Sequence, residues 1–239
     1  MEFKTDAIVL RAIDYKESDK LLTLFTPSRG KVTAGIRGVR KPKAKLNFAA
    51  QPFCFAEYVL AEKAGRYTVT SVYLYDGFYP LRTDIVRYYA ACAALEICDA
   101  LLMEEEECEG TFIAAVECLK TLALTETDPA ECLLTFALHA LREGGYPVDL
   151  DGCGICGADV GETPYFEFEF GFFTCKSCAQ GERASRSTYQ LLRKCEGLEY
   201  AEDETAGGAK RALRLVKAYL SQKTEEEYPC FGEFLRLYE

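Results

Sequence analysis

Residues 22–32 read LTLFTPSRGKV, and this stretch decides how the first third of the chain is organised. Leu22 and Leu24 alternate with Thr23, and the alternation breaks at Pro27-Ser28-Arg29-Gly30 before an apolar-alternating run resumes at Lys31. Pro27 and Gly30 supply turn chemistry, so the stretch reads as a β-hairpin. Working outward, TDAIVLRAIDY (5–15), KLLTLFT (20–26), KVTAGIRG (31–38), FCFAEYVLAE (53–62) and RYTVTSVYLYDGF (66–78) are all short and rich in Val, Ile, Thr, Tyr and Phe. GVRKPK and EKAGR separate the later ones. Five strands at this spacing in about 80 residues fit a small barrel. The five-stranded OB-fold, which binds oligonucleotides on one face, is the natural candidate, and an SH3-like barrel fits the spacing almost as well.

The texture changes after Pro80, and no proline recurs until Pro129. DIVRYYAACAALEICDALLM (84–103) carries apolar residues near helical period, with Thr83 as its expected N-cap. EGTFIAAVECLKTLAL (109–124) is a second amphipathic segment. TDPAECLLTFALHALREGG (127–145) has Asp128 as N-cap, Pro129 at the first helical position and Gly144-Gly145 as the stop. SRSTYQLLRKCEG (185–197) and AGGAKRALRLVKAYLSQ (206–222) read as two more helices. The acidic run Glu104–Glu107 falls between helices and reads as a solvated linker. The expected class is therefore α+β and multidomain. It has an N-terminal five-stranded OB-fold β-barrel over 1–80 and a mainly helical domain over 81–239, interrupted by a module at about 150–182.

Charge divides along the same line. The chain carries a net charge of −10. Residues 1–80 hold 13 Lys and Arg against 8 Asp and Glu, whereas residues 81–239 hold 15 against 30. Two regions with different partners are expected from such asymmetry. No apolar run approaches the ~18 residues of a membrane span, and the first ten residues, MEFKTDAIVL, lack the basic-then-apolar order of a signal peptide. The expected address is the cytoplasm.

Of 12 cysteines, Cys92, Cys98, Cys118 and Cys132 sit among Ala and Leu, where a thiol behaves as a small buried hydrophobe. Four others are different. Cys153-x2-Cys156 and Cys175-x2-Cys178, 18 residues apart, have the paired spacing of a structural zinc site. Gly154, Gly157 and Ser177 are small enough for the tight turns such a site needs. Between them, YFEFEFGFF (165–173) alternates aromatic and acidic as a short hairpin would. A redox CxxC would lack the second pair, iron–sulfur ligation uses other spacings, and disulfides suit short secreted chains. Four thiolates fill a zinc shell and leave no position for catalytic water, so the cofactor expected is structural zinc in a ribbon-like four-cysteine module.

Catalytic residues are not expected. His139, the one histidine, lies on an apolar helix with no nucleophile proposed beside it. There is no GxxxxGK[ST] phosphate loop and no acidic cluster at metal spacing.

The run RGKVTAGIRGVRKPKAK, 29–45, contains Arg29, Lys31, Arg37, Arg40, Lys41, Lys43 and Lys45 and no carboxylate. These seven are the candidate nucleic-acid-binding residues. Stacking rings for bases would come from the same barrel, for example Phe25, Phe48, Phe53, Phe55, Tyr58 and Tyr67, since a basic groove with aromatic platforms holds single strands without sequence preference.

GVRKPKAKL (38–46), QPFCFAEYVLAEKAGRYTVTSVYLYDGF (51–78) and the late CGICG and FFTCKSC resemble the RecO family of recombination mediator proteins over essentially the full chain. The resemblance implies a non-enzymatic DNA repair factor that binds single- and double-stranded DNA and anneals complementary strands. It further implies action with RecR to load RecA onto strands coated by single-stranded-DNA-binding protein, and a cytoplasmic, nucleoid-associated location in a bacterium, with no membrane or small-molecule substrate. The family's basic loop matches at Arg37, Arg40, Lys41 and Lys43. It departs at Ala44, where a small hydroxyl residue is expected. All four zinc positions match. The acidic tail of single-stranded-DNA-binding protein is expected on the helical domain, with Arg193, Lys194, Lys210, Arg211, Arg214 and Lys217 as candidates. The alternative is a protein-interaction adaptor whose zinc module docks a partner and which has no intrinsic DNA affinity.

Overall fold

A computed structural model describes residues 2–238. Five strands, β1 (Glu2–Tyr15), β2 (Asp19–Thr26), β3 (Gly30–Ile36), β4 (Phe55–Lys63) and β5 (Arg66–Asp76), close into a barrel in the order β1-β2-β3-β5-β4. The β2–β3 hairpin turns where Pro27 and Gly30 predict it, pairing Thr26 with Gly30. β1 pairs with β4 through its first half and with β2 through its second, bending at a bulge between Val9 and Arg11. A bulge of this kind lets one strand serve two sides of a barrel. Closure comes from a short parallel contact, Ala34 with Tyr67 and Gly35 with Thr68. This order, with its one parallel pair, is the OB-fold and rules against the SH3-like alternative.

Alternation sets the inside. Leu22, Leu24, Val32, Ala34 and Ile36 point inward with Ala7, Val9, Tyr58, Leu60 and Val69, while Arg11, Thr33 and Arg37 lie exposed outside. The chain leaves β3 over a loop and a 3-10 turn, Asn47–Ala50, before β4. The buried Tyr58 hydroxyl donates to the Ala49 carbonyl at 2.8 Å and seats that turn on the barrel.

Helix α2 (Glu109–Leu124) belongs to the barrel's compact unit, which comprises residues 1–84 and 102–125. Phe112 meets Phe25 edge-on at 5.2 Å. The acidic run ahead of α2 is not a free linker. Lys31 N–H donates to the Met103 carbonyl at 3.1 Å, Glu105 N–H to Arg29 at 3.0 Å and Cys108 N–H to Pro27 at 2.9 Å. Gly30 is obligatory here, because a Cβ would fall 2.1 Å from the Met103 carbonyl oxygen.

The second unit, residues 85–101 and 126–239, holds α1 (Ile85–Leu101), α3 (Pro129–Glu143), α4 (Arg186–Cys195), α5 (Ala209–Thr224) and α6 (Pro229–Leu237). Asp128 caps α3 as expected, accepting the Ala130 N–H at 2.8 Å. Thr83 does not cap α1; its hydroxyl turns back to the Pro80 carbonyl at 2.7 Å, closing a 3-10 turn over Tyr79–Thr83. Helix α6 has no counterpart among the helices expected from the sequence. Its first amides are satisfied from another helix: Glu96 on α1 accepts the N–H groups of Cys230 at 2.9 Å and Phe231 at 3.1 Å. A carboxylate at a helix N-terminus stabilises it through its orphan donors and dipole. Inserted before α4 is a three-stranded sheet of β6 (Tyr165–Glu167), β7 (Phe172–Thr174) and β8 (Glu182–Arg183), with β6 central. No helix among the described residues is long and apolar enough to cross a membrane.

Candidate nucleic-acid face and four-cysteine site

The seven cations of the basic run fall into two groups. Arg29 is half-buried at the root of β3. Its guanidinium lies over the Phe3 ring at 4.7 Å, donates to the Tyr67 hydroxyl at 3.1 Å and pairs with Glu105 at 3.6 Å. Lys31, also half-buried, pairs across the hairpin with Phe25. The backbone of Glu104 and Glu105 runs beside Arg29–Lys31, and Arg29, paired with Glu105 and packed on Phe3 and Tyr67, braces the barrel.

Arg37, Arg40, Lys41, Lys43 and Lys45 lie exposed on the loop after β3. That loop is tied to the β1–β2 turn. Asp19 accepts the Gly38 N–H at 2.8 Å, Arg40 N–H donates to the Ser18 carbonyl at 3.0 Å, and the Arg40 guanidinium pairs with Asp14 at 3.0 Å. The side chains of Arg37, Lys41, Lys43 and Lys45 make no hydrogen bond or ion pair with the described residues. The β1–β2 turn and the outer face of strands 2 and 3 are where OB-folds take oligonucleotides. Lys16 and Arg11 extend the cationic surface, exposed on that turn and on β1. Their signal is present in the alternation of β1, but isolated cations do not stand out from a charge count.

The proposed stacking rings divide as well. Phe25, Phe53 and Tyr58 are fully buried and belong to the core; Phe48, Phe55 and Tyr67 are half-buried. Tyr73 and Tyr79, two-thirds exposed, are the prominent open rings of this unit.

In the other unit, the two CxxC turns face each other. The Cys153, Cys156, Cys175 and Cys178 sulfurs all lie within 4.8 Å of one another, with Cys156 and Cys175 3.9 Å apart. A tetrahedral ion with ~2.3 Å bonds to sulfur needs sulfur separations of about 3.8 Å. The donor set and its size therefore fit a thiolate-bound metal ion. Each turn is closed by its own backbone: Gly157 N–H donates to the Cys153 carbonyl at 2.8 Å and Cys178 N–H to Cys175 at 3.1 Å. The hairpin of β6 and β7 carries one turn and anchors the other, since Gly154 N–H donates to the Phe173 carbonyl at 2.9 Å. Burial pushes the Cys153 thiol up, but hydrogen bonds from the Cys175, Cys156 and Ile155 backbone outweigh it and bring the thiol down to about 6. Hydrogen bonding to Cys156, then burial and the other two cysteines, pushes Cys178 up to about 12. Four clustered sulfurs cannot all ionise unaided, and a cation is what makes that favourable. Cys153 is buried and Cys156 exposed, so the cluster lies at the surface of its unit.

His139 sits on α3 with Nδ1 3.2 Å from the Arg142 guanidinium, and its buried Nε2 has no hydrogen-bond partner among the described residues.

Comparison with known proteins accounts for both units. Residues 1–78 match the family model described as recombination protein O N terminal, and residues 82–229 match recombination protein O C terminal. A protein named DNA repair protein RecO from Anaeromyxobacter dehalogenans (strain 2CP-C) is 37% identical over 228 residues, covering 91% of this chain and 89% of its own. Those of the same name from Desulforamulus reducens and Clostridium novyi are 33% and 35% identical, each covering 80% of this chain and 76% and 75% of their own. With family models matching both halves and relatives aligned along most of its length, this chain belongs to the recombination protein O family.

Proposed function

We propose that this protein acts in DNA repair and recombination as a DNA-binding mediator rather than an enzyme. Residues 1–80 form its DNA-handling module, and the Arg37–Lys45 loop is the main contact with phosphate. One observation carries the reading: a loop with four unpaired cations is held against the β1–β2 turn of an OB barrel, in a chain that is otherwise acidic. Cations fixed there screen phosphates on one strand and then on a second. Repulsion between complementary strands falls, and bases can pair. The same surface serves single and double strands, because both present a phosphate backbone to the cations.

The four-cysteine site holds structural zinc in this reading. Cys153, Cys156, Cys175 and Cys178 complete the shell, so the ion folds the module and takes no part in annealing. The family assignment supports partnership with RecR and the loading of RecA onto strands coated by single-stranded-DNA-binding protein, in the bacterial nucleoid. For the acidic tail of the latter, a cleft of about 650 Å³ in the second unit has Arg183, Arg211 and Arg214 around an apolar floor of Phe166, Phe168 and Leu215. Of the sequence candidates, Arg193 and Lys194 are engaged elsewhere, with the Glu199 carbonyl and Glu131.

The deciding experiment is binding of a fluorescent single-stranded oligonucleotide titrated with salt. The log–log slope is expected to be about −0.7 for each phosphate neutralised on a single strand. Replacing Lys41, Lys43 and Lys45 together by Ala should weaken binding to all sequences and flatten the slope by about 2. Absence of binding at low salt would favour a protein-interaction adaptor built around the metal module.

A further inference from the structure

Within the barrel unit, a cavity of about 350 Å³ opens between the 3-10 turn Asn47–Ala50, the Gln51-Pro52 step and the segment Gly77–Arg82. Ligand pockets begin at about this size. Asn47, Phe48, Gln51, Leu74, Tyr79 and Arg82 line it. Tyr79 is 68% exposed, and the ring interaction it makes among the described residues is with a cation. Arg82 lies 5.2 Å from its centroid, while donating to the Gly77 carbonyl at 2.8 Å and the Pro52 carbonyl at 3.1 Å. One guanidinium thus ties the two walls together and backs the open ring.

The walls are also held in an uncommon backbone state. Phe53 (φ 68°) and Phe78 (φ 45°) are non-glycine residues in the left-handed region, and both rings are buried to 1% exposure or less. Bulky residues adopt that conformation only when the surroundings enforce it, and such positions cluster at binding sites. Here each buried Phe turns its neighbour, Pro52 or Tyr79, onto the cavity rim. At the mouth, Gln51 Nε2 donates to Asn47 Oδ1 at 3.2 Å. Gln51 Oε1 and Asn47 Nδ2 are left without hydrogen-bond partners among the described residues, which leaves one acceptor and one donor at the mouth. Lys45, the last of the exposed cations, lies two residues before Asn47.

We infer that this cavity takes one unpaired nucleobase from a strand whose phosphates run along Lys41–Lys45. The base stacks on Tyr79 and hydrogen-bonds through its edge to the Gln51 and Asn47 amides. One donor and one acceptor satisfy part of the edge of any base, so the site is tolerant of sequence. A base stacked in a duplex cannot enter, so the site favours single strands over double strands. The inference rests on the DNA-binding reading above and adds to it a base site separate from the phosphate contacts.

The test compares the full chain with its Tyr79→Ala and Tyr79→Phe variants on two strands of equal length, one of thymidine and one abasic. Tyr79→Ala is expected to weaken binding to the thymidine strand about tenfold, the scale of one lost stacking contact. Its affinity for the abasic strand and its salt slope should stay those of the parent. Tyr79→Phe keeps the ring and should bind as the parent does. Equal affinity of parent and Tyr79→Ala for the thymidine strand overturns the base site while leaving salt-dependent DNA binding standing. An equal loss on both strands also overturns it, since the ring would then act through the fold. If the parent binds neither strand at any salt concentration, the DNA-binding reading fails and the base site with it.

Discussion

Asp19 Oδ1 accepts the Gly38 backbone N–H at 2.8 Å, and Gly38 sits at φ 64° where the chain turns out of β3. One carboxylate at the start of β2 therefore sets where the cationic loop begins. Hydrogen bonds to a charged group contribute more than neutral ones. Asp19→Ala should lower stability by about 1–2 kcal/mol, read as a drop in Tm. It should also weaken DNA binding, although an anion has been removed from beside the loop. A rise in affinity would show that net charge, and not the position of the loop, governs the contact.

Tyr58 and Ala49 make the corresponding attachment at the loop's far end. The Tyr58 hydroxyl is buried and its ionisation strongly suppressed, chiefly by desolvation and then by Cys54. Tyr58→Phe strands the Ala49 carbonyl without its donor and is expected to cost about 1–2 kcal/mol in denaturant unfolding. No change in midpoint would mean that water replaces the hydroxyl at no cost.

Metal removal tests the cysteine cluster. Protein purified under reducing conditions should carry one zinc per chain by elemental analysis. Cys175→Ser should lose it and become sensitive to proteolysis within residues 150–182, because metal binding and local folding are one process. The barrel should keep its melting behaviour, as none of the four ligands lies in it. Metal-free protein with undiminished protease resistance would make the cluster four ordinary thiols.

The tie between α4 and α3 has a defined pH dependence. The Lys194 ammonium lies 2.6 Å from a Glu131 carboxylate oxygen, and that hydrogen bond raises its pKa above the usual 10.5. A cation whose pKa rises on folding contributes stability that is fully present below its unfolded pKa. That contribution is lost as pH climbs through the folded value. Lys194→Met should therefore melt lower than the parent at pH 8, by about 0.5–1 kcal/mol for a pair this exposed. The gap should close above the ordinary lysine range. A gap that persists there would assign the effect to packing of the lysine stem.

What was legible in the sequence was local. Period-2 alternation, Pro27 and Gly30 place the β2–β3 hairpin because turn chemistry acts within a few residues. Asp128-Pro129 starts α3 for the same reason. The paired CxxC turns announce a four-sulfur cluster because metal ligation demands that spacing whatever surrounds it. Tertiary structure decided everything that depended on a distant partner. It set Arg29 against Glu105 and laid the acidic run beside β3, which paired one of the seven expected DNA-binding cations with a carboxylate. It buried Phe25, Phe53 and Tyr58 while leaving Tyr79 open, a distinction that composition cannot make because all four are aromatic. It also completed α6 with a carboxylate from α1, 134 residues earlier in the chain. Alternation, capping and turn formation are energetically local, whereas charge pairing and burial are properties of the neighbours that folding brings together.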